Sequence, residues 1–362
     1  MINRECGNYK RTYQSDMAIF PVPLQRYTII AIVLIFYLIF PLLANEYLLN
    51  LAGLIAIACL GAVGLNILTG FTGQISIGHA AFMMVGAYTA AILNTRYGVG
   101  FVLCLPAAGI MSALVGSFFG TPSLRIKGLY LAISTLAAQF ILEWIVNHWK
   151  WVSGGAFSSI ITKKPEIFGW IPAAALMEAE SMMRYKYYII VILLGMGVVF
   201  ALNLFRSSVG RAFIAIRDND VSAEIIGINI FRYKLTAFAI SSFYAGVAGA
   251  LYCFWYEVAN YESFTIIISI DYLAMVIIGG LGSVLGAIFG AIFIGLLPIV
   301  LDIVGTWVGD TFFGGVNTEI IANFQVVTFG AMIIFFLIVE PEGLNKLWKN
   351  IKDYFRVWPF SY

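Results

Sequence analysis

Reactive groups are sparse in this 362-residue sequence: two histidines, four cysteines and few acids within apolar surroundings. Cys6, Cys59, Cys104 and Cys253 show no CxxC or other short ligand spacing, and three of them lie in apolar runs, where Cys packs as a small hydrophobe. His79 has only His148 as a second imidazole, so no metal site is expected. Asp271 and Glu143 fall near the ends of apolar runs, where an interface can solvate them. A proton relay needs ionisable groups deeper along a path, which counts against a proton-driven carrier. GxxxxGK[ST], HExxH and GxSxG are all absent, as are paired carboxylates suited to hydrolysis. No catalytic residue is expected, and any nucleotide must bind another chain. What remains is non-covalent chemistry, in three segments.

The first segment reads Gly70-Phe-Thr-Gly73-Gln-Ile-Ser76-Ile-Gly78-His79. Four glycines among Thr72, Gln74, Ser76 and His79 do not make a comfortable lipid-facing helix. Non-helical backbone at membrane depth is tolerated where it is buried in protein or lines a water-filled cavity. One reading is an unwound or re-entrant element beside a translocation path, with Gly70, Gly73, Ser76, Gly78 and His79 as its residues. The other is close helix packing through small residues, with His79 a structural donor. The second segment, Gly279-Gly280-Leu-Gly282-Ser283, continues to Gly286 and Gly290. Glycines at i, i+4 and i+8 put Gly282, Gly286 and Gly290 on one helix face and predict close helix–helix packing.

The third segment, residues 205–234, is a 30-residue polar stretch between two apolar runs. Arg206, Arg211, Arg217, Arg232 and Lys234 make it basic, and Asp218, Asp220 and Glu224 make it strongly polar. Asp220 is expected as an N-cap, Val221–Ile226 as a short helix and Gly227 as its stop. Ala223, Ile225 and Ile226 are then exposed apolar groups rimmed by charge, as a docking site requires. The alternative is an ordinary positive-inside loop.

The elements that position these segments follow from composition. The chain is 61% hydrophobic and 11% charged, with a mean hydropathy of +0.92. A soluble domain carries about a quarter charged residues, so a soluble enzyme, a nucleic-acid binder and a disordered scaffold are excluded in favour of an integral membrane protein. A span takes about 20 apolar residues. Runs over residues 28–44, 47–68, 76–94, 99–120, 128–146, 187–204, 235–256, 263–301 and 320–339 qualify, and the long 263–301 run divides at its glycines. The expectation is an all-α protein of about ten transmembrane helices with Gly-rich broken segments. The first run follows a 27-residue polar arm and lacks a small-x-small site, so it reads as a span and not a cleaved leader.

Charge placement orients the spans. With the N-terminal arm, residues 1–27, inside, alternation also puts Arg125/Lys127, residues 205–234 and the tail, residues 340–362, inside. The membrane domain is residues 28–339, and residues 147–186 fall outside. Both termini are cytoplasmic.

These segments resemble the permease subunits of branched-chain amino-acid ABC transporters, the LivM-type partner. The resemblance runs from about Leu65 to Leu344 and follows the family's order. It rests on LTGFTGQISIGHAAFMMVGAY, on LRIKGLYLAISTL, on Ser153-Gly154-Gly155, on SSVGRAFIAIRDNDVSAEIIGINIFRYKLTAFAISSFYAGVAGALY, on IIGGLGSVLGAIFGA and on Glu340-Pro341-Glu342-Gly343-Leu344. It implies an ABC-importer permease fold. The implied activity is import of Leu, Ile, Val or related small solutes by alternating access across a bacterial inner membrane. The implied partners are a second, LivH-like permease, two cytoplasmic ATPases carrying ATP and Mg, and an extracytoplasmic solute-binding protein, with no cofactor in this chain. By the same carry-over, Arg211, Arg217, Asp218, Asn219, Asp220, Glu224 and Gly227 lie in the ATPase-coupling loop. Departures at Ala137-Ala138-Gln139-Phe140, where the family carries a Phe-Gly-Glu type sequence, and at Ala156-Phe157-Ser158-Ser159 leave the solute open. Relatives carry urea, short amides or aromatic acids.

Overall fold

The computed structural model describes residues 34–123, 130–154, 159–166, 179–312 and 343–357, with Tyr27 and scattered positions between 327 and 338. Eleven of its helices concern us: α1 (Glu46–Thr72), α2 (His79–Arg96), α3 (Phe101–Ser123), α4 (Tyr130–His148), α5 (Ala179–Arg206), α6 (Ser208–Asp218), α7 (Asp220–Ile225), α8 (Ile230–Tyr256), α9 (Ile266–Gly279), α10 (Val284–Phe312) and α11 (Leu344–Val357). Seven helices among the described residues are long and apolar enough to cross a membrane. They correspond to α1, α3, α4, α5, α8, α9 with the 3-10 turn before it, and α10. The chain is an all-α, multi-pass membrane protein. The expected run 28–44 is described from residue 34 onward and is helical over residues 35–43, whereas most of 320–339, and residues 155–158 and 167–178 of the 147–186 segment, lie outside the described residues.

The chain divides into two compact units. In the smaller, Met1–Gly53 with Pro172–Leu193, aromatic rings do the packing. The Tyr187 hydroxyl donates to the Phe36 carbonyl at 3.1 Å, and Tyr37 meets Tyr188 edge-on at 5.1 Å.

The larger unit is built around α2. This 18-residue helix, expected from the 76–94 run, carries polar residues at its two ends, His79 and Asn94 with Arg96, and it is buried along nearly its whole length. Its neighbours are α3, α4, α8 and α9. Small residues let them approach: Gly86 of α2 meets Gly246 of α8 backbone to backbone, and Gly249 of α8 meets Met83. Apolar association gains little in lipid, so such close contact supplies the packing energy. The Ser112 hydroxyl of α3 adds a cross-helix bond to the Phe82 carbonyl at 2.8 Å.

One end of this unit is tied by polar contacts. Two-residue strands β1 (Ile160–Ile161) and β2 (Val258–Ala259) pair antiparallel, Ile160 opposite Ala259. Close by, Asn94 Oδ1 accepts from the Lys163 amide at 2.9 Å and Arg96 lies over the Trp151 ring. The opposite ends of α2 and α9 carry the glycine breaks.

Candidate functional site

After α1 the chain unwinds through residues 73–78 and runs back along the helix it has just left. Gly73 makes the reversal at φ 67°, in the left-handed region that glycine enters freely. The Gln74 amide then donates to the Leu68 carbonyl at 3.2 Å, while His79 hydrogen-bonds the Gly61 backbone two turns further up. Backbone groups on this leg are satisfied by side chains of other helices, as membrane depth requires. Thr135 Oγ1 of α4 accepts from the Ile77 amide at 3.0 Å, and Ser269 Oγ of α9 accepts from the Ala80 amide at 2.9 Å. Ser269 in turn donates to Gln139 Oε1 at 3.3 Å, and Gln139 Nε2 donates to the Phe264 carbonyl at 2.7 Å. Gly78 sits directly on the Thr135 carbonyl, with no room for a side chain. Two buried side-chain atoms on the leg lack a hydrogen-bond partner: Gln74 Oε1 and His79 Nε2.

The second break packs against the first. Gly280 at φ 114° ends α9, and Gly282 at φ 79° turns the chain into α10. Gly282 therefore lies in the turn, not on the helix face that its spacing implies. Gly286 and Gly290 do lie on α10 and face α9 of the same chain. A Cβ at Gly286 would come 2.6 Å from the Gly279 carbonyl oxygen, and one at Gly290 would come 2.9 Å from the Gly279 nitrogen. Asn66 of α1, almost fully buried, clamps the turn: Nδ2 donates to the Ser283 carbonyl at 2.8 Å, and Oδ1 accepts from the Gly282 amide at 3.0 Å. One turn further along α1, Gly70 contacts the Gly282 backbone.

Arg217 reaches this junction from the polar segment. Helix α6 starts at Ser207, whose hydroxyl accepts from the Gly210 amide, and it buries Ala212, Phe213 and Ile216. Its last turn carries Arg217, whose Nη1 donates to the Gly70 carbonyl at 3.0 Å. That carbonyl belongs to the final turn of α1, where acceptors are left without intrahelical partners and a cation is favoured. Arg217 also pairs with Asp218 at 3.1 Å.

Beyond this point α7 is capped at both ends. Asn219 is its N-cap, with Oδ1 accepting from the Ser222 amide at 3.0 Å; Asp220, expected in that role, is the first helical residue. Gly227, at φ 89°, closes the helix as expected: its amide donates to the Glu224 carbonyl, and the Ile228 amide donates to the Ala223 carbonyl. That pair of bonds is a Schellman cap. Ala223 is only 2% exposed, so it belongs to the packed side of α7 and not to the outer face anticipated for it. Ile225 and Ile226, at 81% and 72%, are open. Lys234 Nζ lies 3.9 Å from Asp220 Oδ2, tying α7 to the start of α8. Arg211 of α6 reaches back to the end of α5, its Nη1 donating to the Arg206 carbonyl.

Residues 47–337 match the family model described as branched-chain amino acid transport system / permease component. The chain belongs to that family. Similar proteins include the high-affinity branched-chain amino acid permease LivM of Escherichia coli, 34% identical over 67% of this chain and 61% of that protein. LivM of Salmonella typhimurium is 31% identical over 84% of this chain and 71% of its own length. A probable LivH of Methanocaldococcus jannaschii is 27% identical over 80% and 89%. The chain thus spans about three fifths of the E. coli relative. No solved structure matches it.

In this family member, Gly70, Gly282 and Arg217 come together through the contacts above, Gly73 lies against Arg217, and Gly78 packs apart from them on Thr135. Ser76 and His79 are buried on the same leg, whereas Glu224 stands exposed. Asn66, Thr135, Gln139 and Ser269 are the residues that sequence reading did not assign to the site. Gln139 occupies one of the positions where the chain departs from the family pattern.

Proposed function

We infer that this chain is a transmembrane permease subunit of an ATP-driven importer for branched-chain amino acids or related small solutes. Its ATPases, with their ATP and Mg, are separate chains, and a LivH-like permease and an extracytoplasmic solute-binding protein complete the assembly. The observation that carries this reading is the hydrogen bond from Arg217 to Gly70, which joins a surface segment bearing open isoleucines to the point where both glycine breaks meet. In the proposed cycle an ATPase subunit grips Ile225 and Ile226 on the cytoplasmic side. Residues 205–234 act as the coupling loop, and the two caps make α7 a rigid lever. Its displacement passes through Arg217 to the last turn of α1 and, through Asn66, to the α9–α10 turn. The two unwound segments shift together, and the solute path beside residues 73–78 changes the side on which it opens. Both termini are cytoplasmic in this scheme, and residues 147–186 are extracytoplasmic.

Reconstitution tests the reading. The permease is inserted into proteoliposomes with its partner permease, ATPases and binding protein, and uptake of labelled leucine, isoleucine and valine is followed. Unlabelled urea, short amides and aromatic acids serve as competitors. Uptake that requires hydrolysable ATP and is displaced by the branched-chain amino acids supports the assignment. Displacement only by urea, amides or aromatic acids moves the solute to the alternative class, and uptake independent of ATP removes the assignment.

A further inference from the structure

We propose that α11 is an interfacial anchor that docks this end of the permease on anionic phospholipid headgroups. Along Leu344–Val357 the apolar residues Leu344, Leu347, Trp348 and Ile351 recur at i, i+3, i+4 and i+7, which makes one apolar stripe on a helix. Between them come Lys346 and Lys349, and the same fourteen residues hold Lys352 and Arg356 against a single acid, Asp353. A strongly amphipathic helix with a basic polar face and Trp and Leu on the other face is the type that lies in a membrane interface.

Among the described residues, the contacts that hold this helix lie in its first half. Gly343, at φ 67°, packs on the second glycine break, where a Cβ would come 2.6 Å from both the Gly280 nitrogen and the Ile278 carbonyl oxygen. Trp348 touches Phe289 of α10, with ring centroids 5.7 Å apart, yet it remains 50% exposed. Ile351 is also 50% exposed and Leu347 39%, so the apolar stripe is left half open. Charge decides what fits it. The helix is held against a membrane-spanning hairpin, and its excess of cations complements the phosphates of a bilayer surface, while Trp favours headgroup depth. The partner is therefore a lipid leaflet carrying negative charge. Because Gly343 sits on the break that Asn66 clamps, such docking fixes one side of the junction and leaves α6 and α7 free. This role does not depend on the coupling scheme or on the solute.

The test uses the full chain without native cysteines, in nanodiscs of phosphatidylcholine alone or mixed in equal parts with phosphatidylglycerol. A nitroxide is placed singly at positions 345 to 351, and its collisions with oxygen and with an aqueous nickel chelate are measured. In anionic discs, positions 347, 348 and 351 are expected to be shielded from the chelate and open to oxygen, with 346, 349 and 350 showing the reverse. Each cation removed is expected to lower the docked-to-free ratio about fivefold, the factor equivalent to about 1 kcal/mol. Lys349→Gln, Lys352→Gln and Arg356→Gln combined are then expected to abolish the periodic shielding, as does high salt. Equal shielding in both lipids, shielding insensitive to the triple substitution, no periodic shielding in anionic discs, or shielding that appears only after ATPase subunits are added would each overturn the proposal.

Discussion

Replacing Asn66 with Leu isolates the clamp between α1 and the α9–α10 turn. Leu has the branching and the side-chain heavy-atom count of Asn, so the change removes hydrogen bonding without leaving a large void. Two bonds are lost, and they are not equivalent. The Ser283 carbonyl keeps a second donor, the Ala287 amide at 3.0 Å, so its loss resembles that of an ordinary membrane hydrogen bond, about 0.6 kcal/mol. The Gly282 amide has Asn66 Oδ1 as its acceptor and is orphaned by the change, which costs about 1–3 kcal/mol for a buried group. The sum is about 1.6–3.6 kcal/mol, enough to lower the melting midpoint of the detergent-solubilised protein by roughly 5 °C. Ser283→Ala is the comparison, because it removes only the hydroxyl that caps the Gly286 amide at 3.1 Å and leaves the clamp in place. Melting followed by size-exclusion fluorescence, together with uptake at matched membrane abundance, reads both effects. An Asn66→Leu protein that melts within a degree of the parent and transports normally would refute the clamp.

Three further outcomes are expected. Gly286→Val should cost about 1–3 kcal/mol by forcing α10 off the Gly279 carbonyl, seen as lower membrane abundance or a lower melting midpoint; unchanged values would show that the hairpin is not close-packed. Ile225→Asp with Ile226→Asp should leave folding intact, since both side chains are open, yet weaken ATPase co-purification more than tenfold; full retention would make this loop a simple connector. Single cysteines in residues 159–166 and 219–227 should be labelled from opposite sides of the membrane, and labelling from the same side would sink the topology.

Local signals were legible in the sequence, and long-range ones were not. Apolar length located α1, α2, α3, α4, α5, α8 and the α9–α10 hairpin to within several residues, and the 263–301 run divides at its glycines. Gly227 was readable as a helix stop because an αL cap is specified by the residue itself. Asn66 was not readable: a single Asn in an apolar run carries no sign of partners more than two hundred positions away. Nor could spacing tell that Gly282 turns the chain while Gly286 and Gly290 pack it, since all three obey the same period of four. In α7, Ala223 and Ile225 sit only two residues apart, and helical geometry sends one inward and the other out. A bulky residue at Ala223 would therefore probe packing and not docking. Arg217 looked like one cation among several in a basic loop, and only its contact with Gly70 distinguishes it.

The central claim is that force reaches the glycine breaks through Arg217, and the coupling ratio of the reconstituted transporter tests it most directly. Arg217→Gln removes a charge-assisted bond worth about 1.5–3 kcal/mol in a buried setting, and the lower end applies because the side chain is partly open to solvent. ATP hydrolysed and leucine imported are measured in the same proteoliposomes, with subunit stoichiometry checked on gels. Assembly and basal ATP hydrolysis are predicted to persist while leucine imported per ATP falls about tenfold, with Arg217→Lys recovering part of the loss. An Arg217→Gln transporter that imports leucine at the parental ratio would contradict the account.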